Sequence, residues 1–119
     1  MLIGELARHS GVSTRSIRYY DAQGLLTAHR NANGYREFAS SSIESVAQIR
    51  SLIDAGFSVD TIREVLPCVN GTNVDMCPRV VELVRRTLAG IETAMEDLVD
   101  KLQRVDALLA SQRIARPRL

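Results

Sequence analysis

The stretch IGELARHSGVSTRSIRYYDAQGLL, Ile3 to Leu26, decides the fold. Its first part sets Leu6 and Ala7 on a short amphipathic helix, breaks at Gly11 and resumes at Ser13. A serine at that place acts as an N-cap, because its hydroxyl accepts from a backbone N–H that the first helical turn leaves unpaired. Glycine at the break can take the left-handed conformation, and Val12 can plug the angle between the two helices. This is helix-turn-helix spacing. In the second helix Ile17 faces inward with Leu25 or Leu26 beyond it, leaving Thr14, Arg15 and Arg18 outside. Tyr19 and Tyr20 follow, in a chain with three tyrosines and no tryptophan. Arginines and phenols on an exposed face can grip an anion, and a solvated face with half-buried tyrosines fits the same residues.

The neighbouring segments extend the pattern. The second helix should end near Gly24, after which LLTAHRNANGYREF reads as two short extended pieces around the turn Asn31-Ala32-Asn33-Gly34. Asn-Gly is a strong hairpin signal. SSSIESVAQIRSLIDAGF is an amphipathic helix with Ile43, Val46, Ile49 and Ile53 on one face, stopped at Gly56. A capped short helix runs from Ser58 to Leu66 and is ended by Pro67. From Pro78 to about Leu109 the chain has one glycine, Gly90, and no further proline, so one long helix is indicated. Val81, Val84, Leu88, Ile91, Met95, Leu98, Leu102, Val105 and Leu109 alternate spacings of three and four, the heptad seam of a coiled coil. So narrow a stripe needs a partner helix; the alternative is that it folds back on the chain's own head.

Length and charge bound the function. At 119 residues the chain suits one small domain plus an extra element. The formal net charge of +1 announces nothing by itself, but its distribution does. Residues 1 to 36 hold five arginines against Glu5 and Asp21, whereas residues 37 to 67 hold Arg50 and Arg63 against five acids. The basic charge is local to the helix-turn-helix and the hairpin. No apolar run reaches the length of a bilayer span, and MLIGELARHS lacks the regions of a signal peptide, so no membrane association and a cytoplasmic location are expected. No catalytic set stands out: there is no Gly-rich phosphate loop, and the two histidines both lie in the head.

Helix, turn, helix, hairpin and helix pair is a winged helix-turn-helix order, and the chain resembles the MerR family of bacterial transcriptional regulators. IGELARHSGVS, TRSIRYYDAQGLL, RNANGYREF and DAGFSVDTIREVL occur in that family's order and spacing. The resemblance implies a mainly α fold: a winged helix-turn-helix DNA-binding domain over 1–67 with a small β-hairpin wing, a connecting loop over 68–77, a dimerisation helix over 78–111 and a basic tail over 112–119. It also implies that the second helix enters the major groove of double-stranded promoter DNA while the wing holds the backbone. On that reading Ser13 caps the helix, and Thr14, Arg15 and Ser16 lie near its N-terminus as candidates for base contacts. Arg18 and Tyr20, one turn further on, are placed for phosphates, and Tyr19 packs against the wing with a partial backbone contact. Arg30, Asn33, Tyr35 and Arg36 form the wing's clamp, with Gly34 allowing its turn; His29 joins them or is merely solvated. The family pairs its long helix in an antiparallel homodimer, although the seam alone does not fix orientation. RNA polymerase enters indirectly, through a promoter spacer that such dimers distort. The alternative function is an architectural or excisionase-like accessory protein of the same winged fold.

Cys68 and Cys77 stand outside this scheme, in LPCVNGTNVDMCPRV. DNA binding requires no cofactor on this reading. The pair is inert, a thiol redox switch or a holder of a soft metal ion, and its turn-rich loop can bring the sulfurs together. Cys77 falls at a helix N-terminus, a position that favours the reactive thiolate. The tail SQRIARPRL shows neither the cysteine-containing loop of the family's heavy-metal sensors nor the extra effector domain of its larger members, so the resemblance leaves the inducer open.

Overall fold

The computed structural model describes residues 1–70 and 73–112; the tail beyond Gln112 lies outside the described residues. The chain divides into two compact units, Met1–Leu83 and the stretch from Val84 onward. The head holds α1 (Ile3–Ser10), α2 (Thr14–Ala22), β1 (Ala28–Arg30), β2 (Arg36–Phe38), α3 (Ser42–Asp54), α4 (Val59–Val65), a 3-10 turn at Leu66–Cys68, β3 (Val69–Asn70) and β4 (Asn73–Val74). It ends in the first residues of α5 (Pro78–Ser111).

Local chemistry sets the break between α1 and α2. Gly11 takes φ 72° and its N–H closes α1 on the Ala7 carbonyl. Ser13 is extended, and its Oγ accepts from the Ser16 N–H at 3.1 Å. With the two helices angled in this way, Leu6, Val12, Ile17, Tyr20 and Leu25 meet Phe38 of β2, Val46 and Ile49 of α3 and Ile62 of α4 in one core. Burying side chains of this size contributes roughly 1.5–3 kcal/mol each, which short helices need because they are marginal alone.

The wing is an antiparallel pair with Ala28 opposite Phe38, His29 opposite Glu37 and Arg30 opposite Arg36. Phe38 roots it in the core. Its other edge is paired as well, through a bridge between Leu2 and Glu37 and a bond from the Phe38 N–H to the Met1 carbonyl at 2.6 Å. At α3 the apolar face differs from the sequence expectation in its last turn. Ile53 is exposed, and Leu52 packs on the core instead. The chain reverses at Gly56 (φ 100°), and the Phe57 N–H bonds back to the Leu52 carbonyl at 3.1 Å, so the returning segment closes over Leu52. Ser58 caps α4 by accepting from the Thr61 N–H at 3.2 Å. The α-helix ends at Val65, and Pro67 sits within the 3-10 turn that follows.

Between the head's last helix and α5 lies a second hairpin where the sequence pointed to a loop: Val69 pairs with Val74 and Asn70 with Asn73. Val80 and Leu83, in the first turns of α5, are buried, and Arg79 forks onto Glu64 of α4 at 3.1 and 3.3 Å while reaching Glu82 at 3.2 Å.

From Val84 onward α5 runs as a single continuous helix to Ser111. Of the seam residues, Val81, Val84 and Leu109 are half-buried, whereas Leu88, Ile91, Met95, Leu98, Leu102 and Val105 are all exposed in the single chain. Val99 and Leu108 add to the same uncovered apolar set.

Candidate nucleic-acid interface

The first turn of α2 is fixed by its own hydroxyls. Ser13 bonds to the Ser16 N–H with its oxygen and donates its O–H to the Ser16 Oγ at 3.1 Å. Thr14 and Ser16 are half-buried, while Arg15 and Arg18 project into solvent. Spacings of three and four share a helix face, so Arg15 and Arg18 lie on one side.

The two tyrosines exchange the roles expected of them. Tyr20 is 6% exposed and belongs to the core; Tyr19 is 50% exposed. The cause is the helical period, because Tyr20 stands three residues after the inward Ile17 and continues its stripe. The rings are 6.3 Å apart and tilted by 58°, so the outer phenol leans on the buried one. Tyr19 is therefore the more exposed of the two rings on α2.

Arg36 also departs from expectation. Its Nε and one terminal nitrogen donate to the two carboxylate oxygens of Asp21 at 2.7 and 2.8 Å, a bidentate fork joining the wing to the last turn of α2. The Asp21 side chain is only 16% exposed. Hydrogen bonds from Arg36 hold its carboxyl below the usual carboxylate range against the opposing effect of burial, and the guanidinium is held correspondingly higher. Arg36 is thus first a brace, with part of its guanidinium committed within the chain.

The wing tip is organised by a residue that the sequence reading left without a role. Asn31 Oδ1 accepts from the N–H groups of Asn33 (2.9 Å) and Tyr35 (3.1 Å). Gly34 at φ 81° donates to the Asn31 carbonyl at 2.9 Å, and the Arg30 guanidinium caps the Gly34 carbonyl at 2.8 Å. Asn33 and Tyr35 remain exposed. His29 reaches Glu37 across the strands at 3.4 Å.

An open cavity of about 800 Å³ gathers several of these groups. Its wall is formed by Leu2, Ile3, Gly4 and Glu5 at the start of α1, by Arg8, by Arg18 and Asp21 of α2, and by Tyr35, Arg36 and Phe38 of the wing. Three arginines from three elements thus face one opening, beside the carboxylate that Arg36 already satisfies. Arg8 was counted in the basic charge of the sequence but given no part; its position in the last turn of α1 was the available signal. Arg15, Arg30 and Asn33 lie off this cavity.

Residues 1–67 match the sequence profile of the MerR HTH family regulatory protein. The chain belongs to the MerR family. Over 67 residues it is 43% identical to the HTH-type transcriptional regulator HmrR of Sinorhizobium medicae (strain WSM419), a match covering 56% of this chain and 46% of that protein. The chain thus spans about half the length of the curated relatives it matches. Its fold is similar to that of the transcription regulator PbrR691 from Ralstonia metallidurans CH34, solved in complex with lead(II), with a TM-score of 0.72, 26% identity, and coverage of 100% of this chain and 90% of that one. It is similar also to EcmrR in an EcmrR–DNA complex, with a TM-score of 0.73 and 26% identity over 95% of this chain and 40% of that one.

One further feature of this MerR-family head has no signal in the sequence. Arg63 of α4 donates to the Gln23 carbonyl (2.9 Å), the Gln23 side chain (3.1 Å) and Asp60 (2.9 Å), pinning the C-terminal end of α2 from behind. No local motif marks a contact between residues this far apart in sequence. Cys68 is half-buried and Cys77 exposed, and the backbone places them on adjoining strand ends, the Asp75 N–H bonding to the Cys68 carbonyl at 2.8 Å and the Cys77 N–H to the Asp75 carbonyl at 3.0 Å. Burial, then the Cys77 thiol and the Asp75 charge, push the Cys68 thiol above its usual range. Among the described residues no group of three or more histidines, cysteines and acids is placed to hold a metal ion, so the donor set of one chain does not fit a closed metal site. No helix among them is long and apolar enough to cross a membrane.

Proposed function

We propose that this MerR-family chain is a sequence-specific transcriptional regulator that binds double-stranded promoter DNA as a homodimer. The observation that carries the reading is the convergence of Arg8, Arg18 and Arg36 with Tyr35 on one open face that α2 lines through Arg18 and Asp21. Such a face suits a nucleic-acid backbone, which presents anionic oxygens at regular intervals and takes most of a protein's hydrogen bonds. Arg15, with Thr14 and Ser16, sits where the N-terminus of a recognition helix reaches base edges. Arg18, Tyr19 and Arg8 serve phosphates, and the wing, held at its angle by the Arg36–Asp21 fork, adds Arg30, Asn33 and Tyr35.

The uncovered seam of α5 supports the second half of the reading. Six exposed apolar side chains at heptad spacing are the surface that a second copy covers in a coiled coil. Two heads fixed by one coiled coil can impose a bend or twist on base pairs they never touch, so polymerase is affected through the shape of the promoter. The similarity of the fold to EcmrR, solved in an EcmrR–DNA complex, supports DNA as the ligand. The protein acts in the cytoplasm, on the nucleoid, with no catalytic role.

Footprinting on the DNA upstream of the chain's own gene, with transcription measured from the same template, tests this. A protected, near-palindromic site between the polymerase-contacted elements is the expected result. Protection confined to a recombination site without any effect on transcription would transfer the chain to the accessory-protein class.

A further inference from the structure

We propose that Cys68 and Cys77 are a peroxide-reactive pair that closes into an intrachain disulfide, with Cys77 as the sulfur attacked by the oxidant and Cys68 as the sulfur that resolves it. The arrangement comes from the second hairpin. Pairing of Val69 with Val74 turns the chain back on itself, and the Asp75 N–H bonds to the Cys68 carbonyl at 2.8 Å, extending the ladder by one step. The Cys77 N–H then bonds to the Asp75 carbonyl at 3.0 Å, which curls the strand end back toward Cys68. Both are free thiols.

Their environments differ in the way that a two-step oxidation needs. Peroxide must reach the first sulfur, and only Cys77 is exposed. The Cys77 thiolate attacks one oxygen of a hydroperoxide, the O–O bond breaks, and the products are the Cys77 sulfenic acid and water or an alcohol, its proton coming from the original thiol. The second step needs proximity more than access. Cys68 attacks the Cys77 sulfur, the S–OH bond breaks, and hydroxide leaves with the Cys68 proton as water. Cys68 is half-buried beside the exposed Cys77, and burial pushes its thiol up, so it is the poorer first target and the better-placed resolving thiol.

The bond would close a ring around β3 and β4, tying the 3-10 turn after α4 to the residue before Pro78. Val69 and Val74 line an open cavity of about 470 Å³ with Ala47 and Leu52 of α3, so tightening the hairpin is felt against α3. Arg79, two residues beyond Cys77, is forked onto Glu64. The chemistry stands by itself; its effect on promoter output rests on the function proposed above.

The reduced 119-residue chain is treated with equimolar hydrogen peroxide, quenched, and mapped by mass spectrometry without reduction and with a sulfenic-acid trap. The wild type should give a Cys68–Cys77 linked peptide within one chain. Cys68→Ser should instead accumulate trapped sulfenic acid at Cys77, and Cys77→Ser should leave Cys68 unlabelled at the same exposure. Absence of the link, a link only between two chains, or labelling of Cys68 in Cys77→Ser at the wild-type rate overturns the proposal. Silver ion, as a soft-metal probe, protecting both thiols from alkylation while peroxide leaves them unlinked would replace it with metal binding. In parallel, promoter output should shift several-fold on oxidation of the wild type and in neither serine variant. A disulfide that forms without changing output from a footprinted promoter removes the regulatory half alone, whereas absence of any footprint with the disulfide formed removes the DNA-binding reading and leaves the thiol chemistry standing.

Discussion

The head and the long helix carry apolar residues at the same helical period, yet only the head covers them. Leu6, Ile17, Val46, Ile49 and Ile62 are fully buried, whereas Met95, Leu98 and Val105 on α5 are each at least 60% exposed. The head's helices are short and face one another across a core, and each has a broad apolar side closed by the wing's Phe38 or by a neighbouring helix. The 34-residue α5 has a narrow seam and polar residues on its remaining surface. A broad stripe finds its partners within the chain; a narrow one over many turns is matched by another helix of the same kind.

The comparison predicts its largest effect in the core. Ile17→Ala should cost about 2–5 kcal/mol, as truncation of a fully buried aliphatic side chain generally does, out of the roughly 5–15 kcal/mol that holds a domain folded. Thermal unfolding of the full chain should show a large drop, with DNA retention lost alongside it. Leu98→Ala should not lower the melting of the head when measured well below the concentration at which the chain dimerises. Equal losses in the two variants at that dilution would mean that the seam is covered within the chain.

Next comes the charge at the seam. Leu98→Glu places an unpaired carboxylate where a partner helix packs, at a cost of several kcal/mol as an order of magnitude. Sedimentation should show a monomer whose head retains its native circular dichroism, and half-site binding should become weak. A charged variant that sediments as a wild-type dimer would assign the seam another role.

Within the head a finer division follows, between the first turn of α2, which reads, and the second, which grips. Arg18→Ala should weaken all sequences alike and reduce the salt dependence by about one unit of slope, as expected for each lost phosphate contact. Arg15→Ala should relax preference at one base position, worth about 1–3 kcal/mol of discrimination. Tyr19→Phe should lower affinity modestly at constant thermal stability, and Tyr20→Leu should lower stability first. Selection of bound sequences from a random pool, with a salt titration on each variant, separates these outcomes; an unchanged preference for Arg15→Ala would reverse the sorting.

How much of this was legible depended on the range of the interaction. The caps at Ser13 and Ser58, the break at Gly11 and the wing turn at Gly34 are local signals, and each appears where its chemistry requires. Asn70-Gly71 is the same dipeptide as the wing's Asn33-Gly34, yet it read only as a turn-rich loop, because two-residue strands leave no alternation to detect. Tyr20 is packed into the core by its spacing from Ile17, which the sequence already contains. The Arg36–Asp21 and Arg63–Gln23 contacts span 15 and 40 residues, and charge alone does not say which carboxylate or carbonyl an arginine will meet.

The Arg36–Asp21 fork supplies the smallest effect and the sharpest test of how the wing is held. Because the fork depresses the folded-state pKa of Asp21, its contribution to stability is fully present above the ordinary aspartate range near 4 and is lost as pH falls through the lower folded value. Asp21→Asn removes that contribution at every pH. The variant should therefore melt slightly below the wild type at neutral pH, and the two should begin to converge below about pH 4 and meet only below the depressed folded value, where the wild-type carboxyl also loses its charge. Arg36 is partly solvated, so the difference should be small and should shrink with added salt. Phe38 and the Leu2–Glu37 bridge still root the wing, which keeps the expected loss of DNA affinity minor. A gap between the melting curves that persists unchanged into acid would show that the asparagine disturbs packing, and that the ion pair is not what holds the wing to α2.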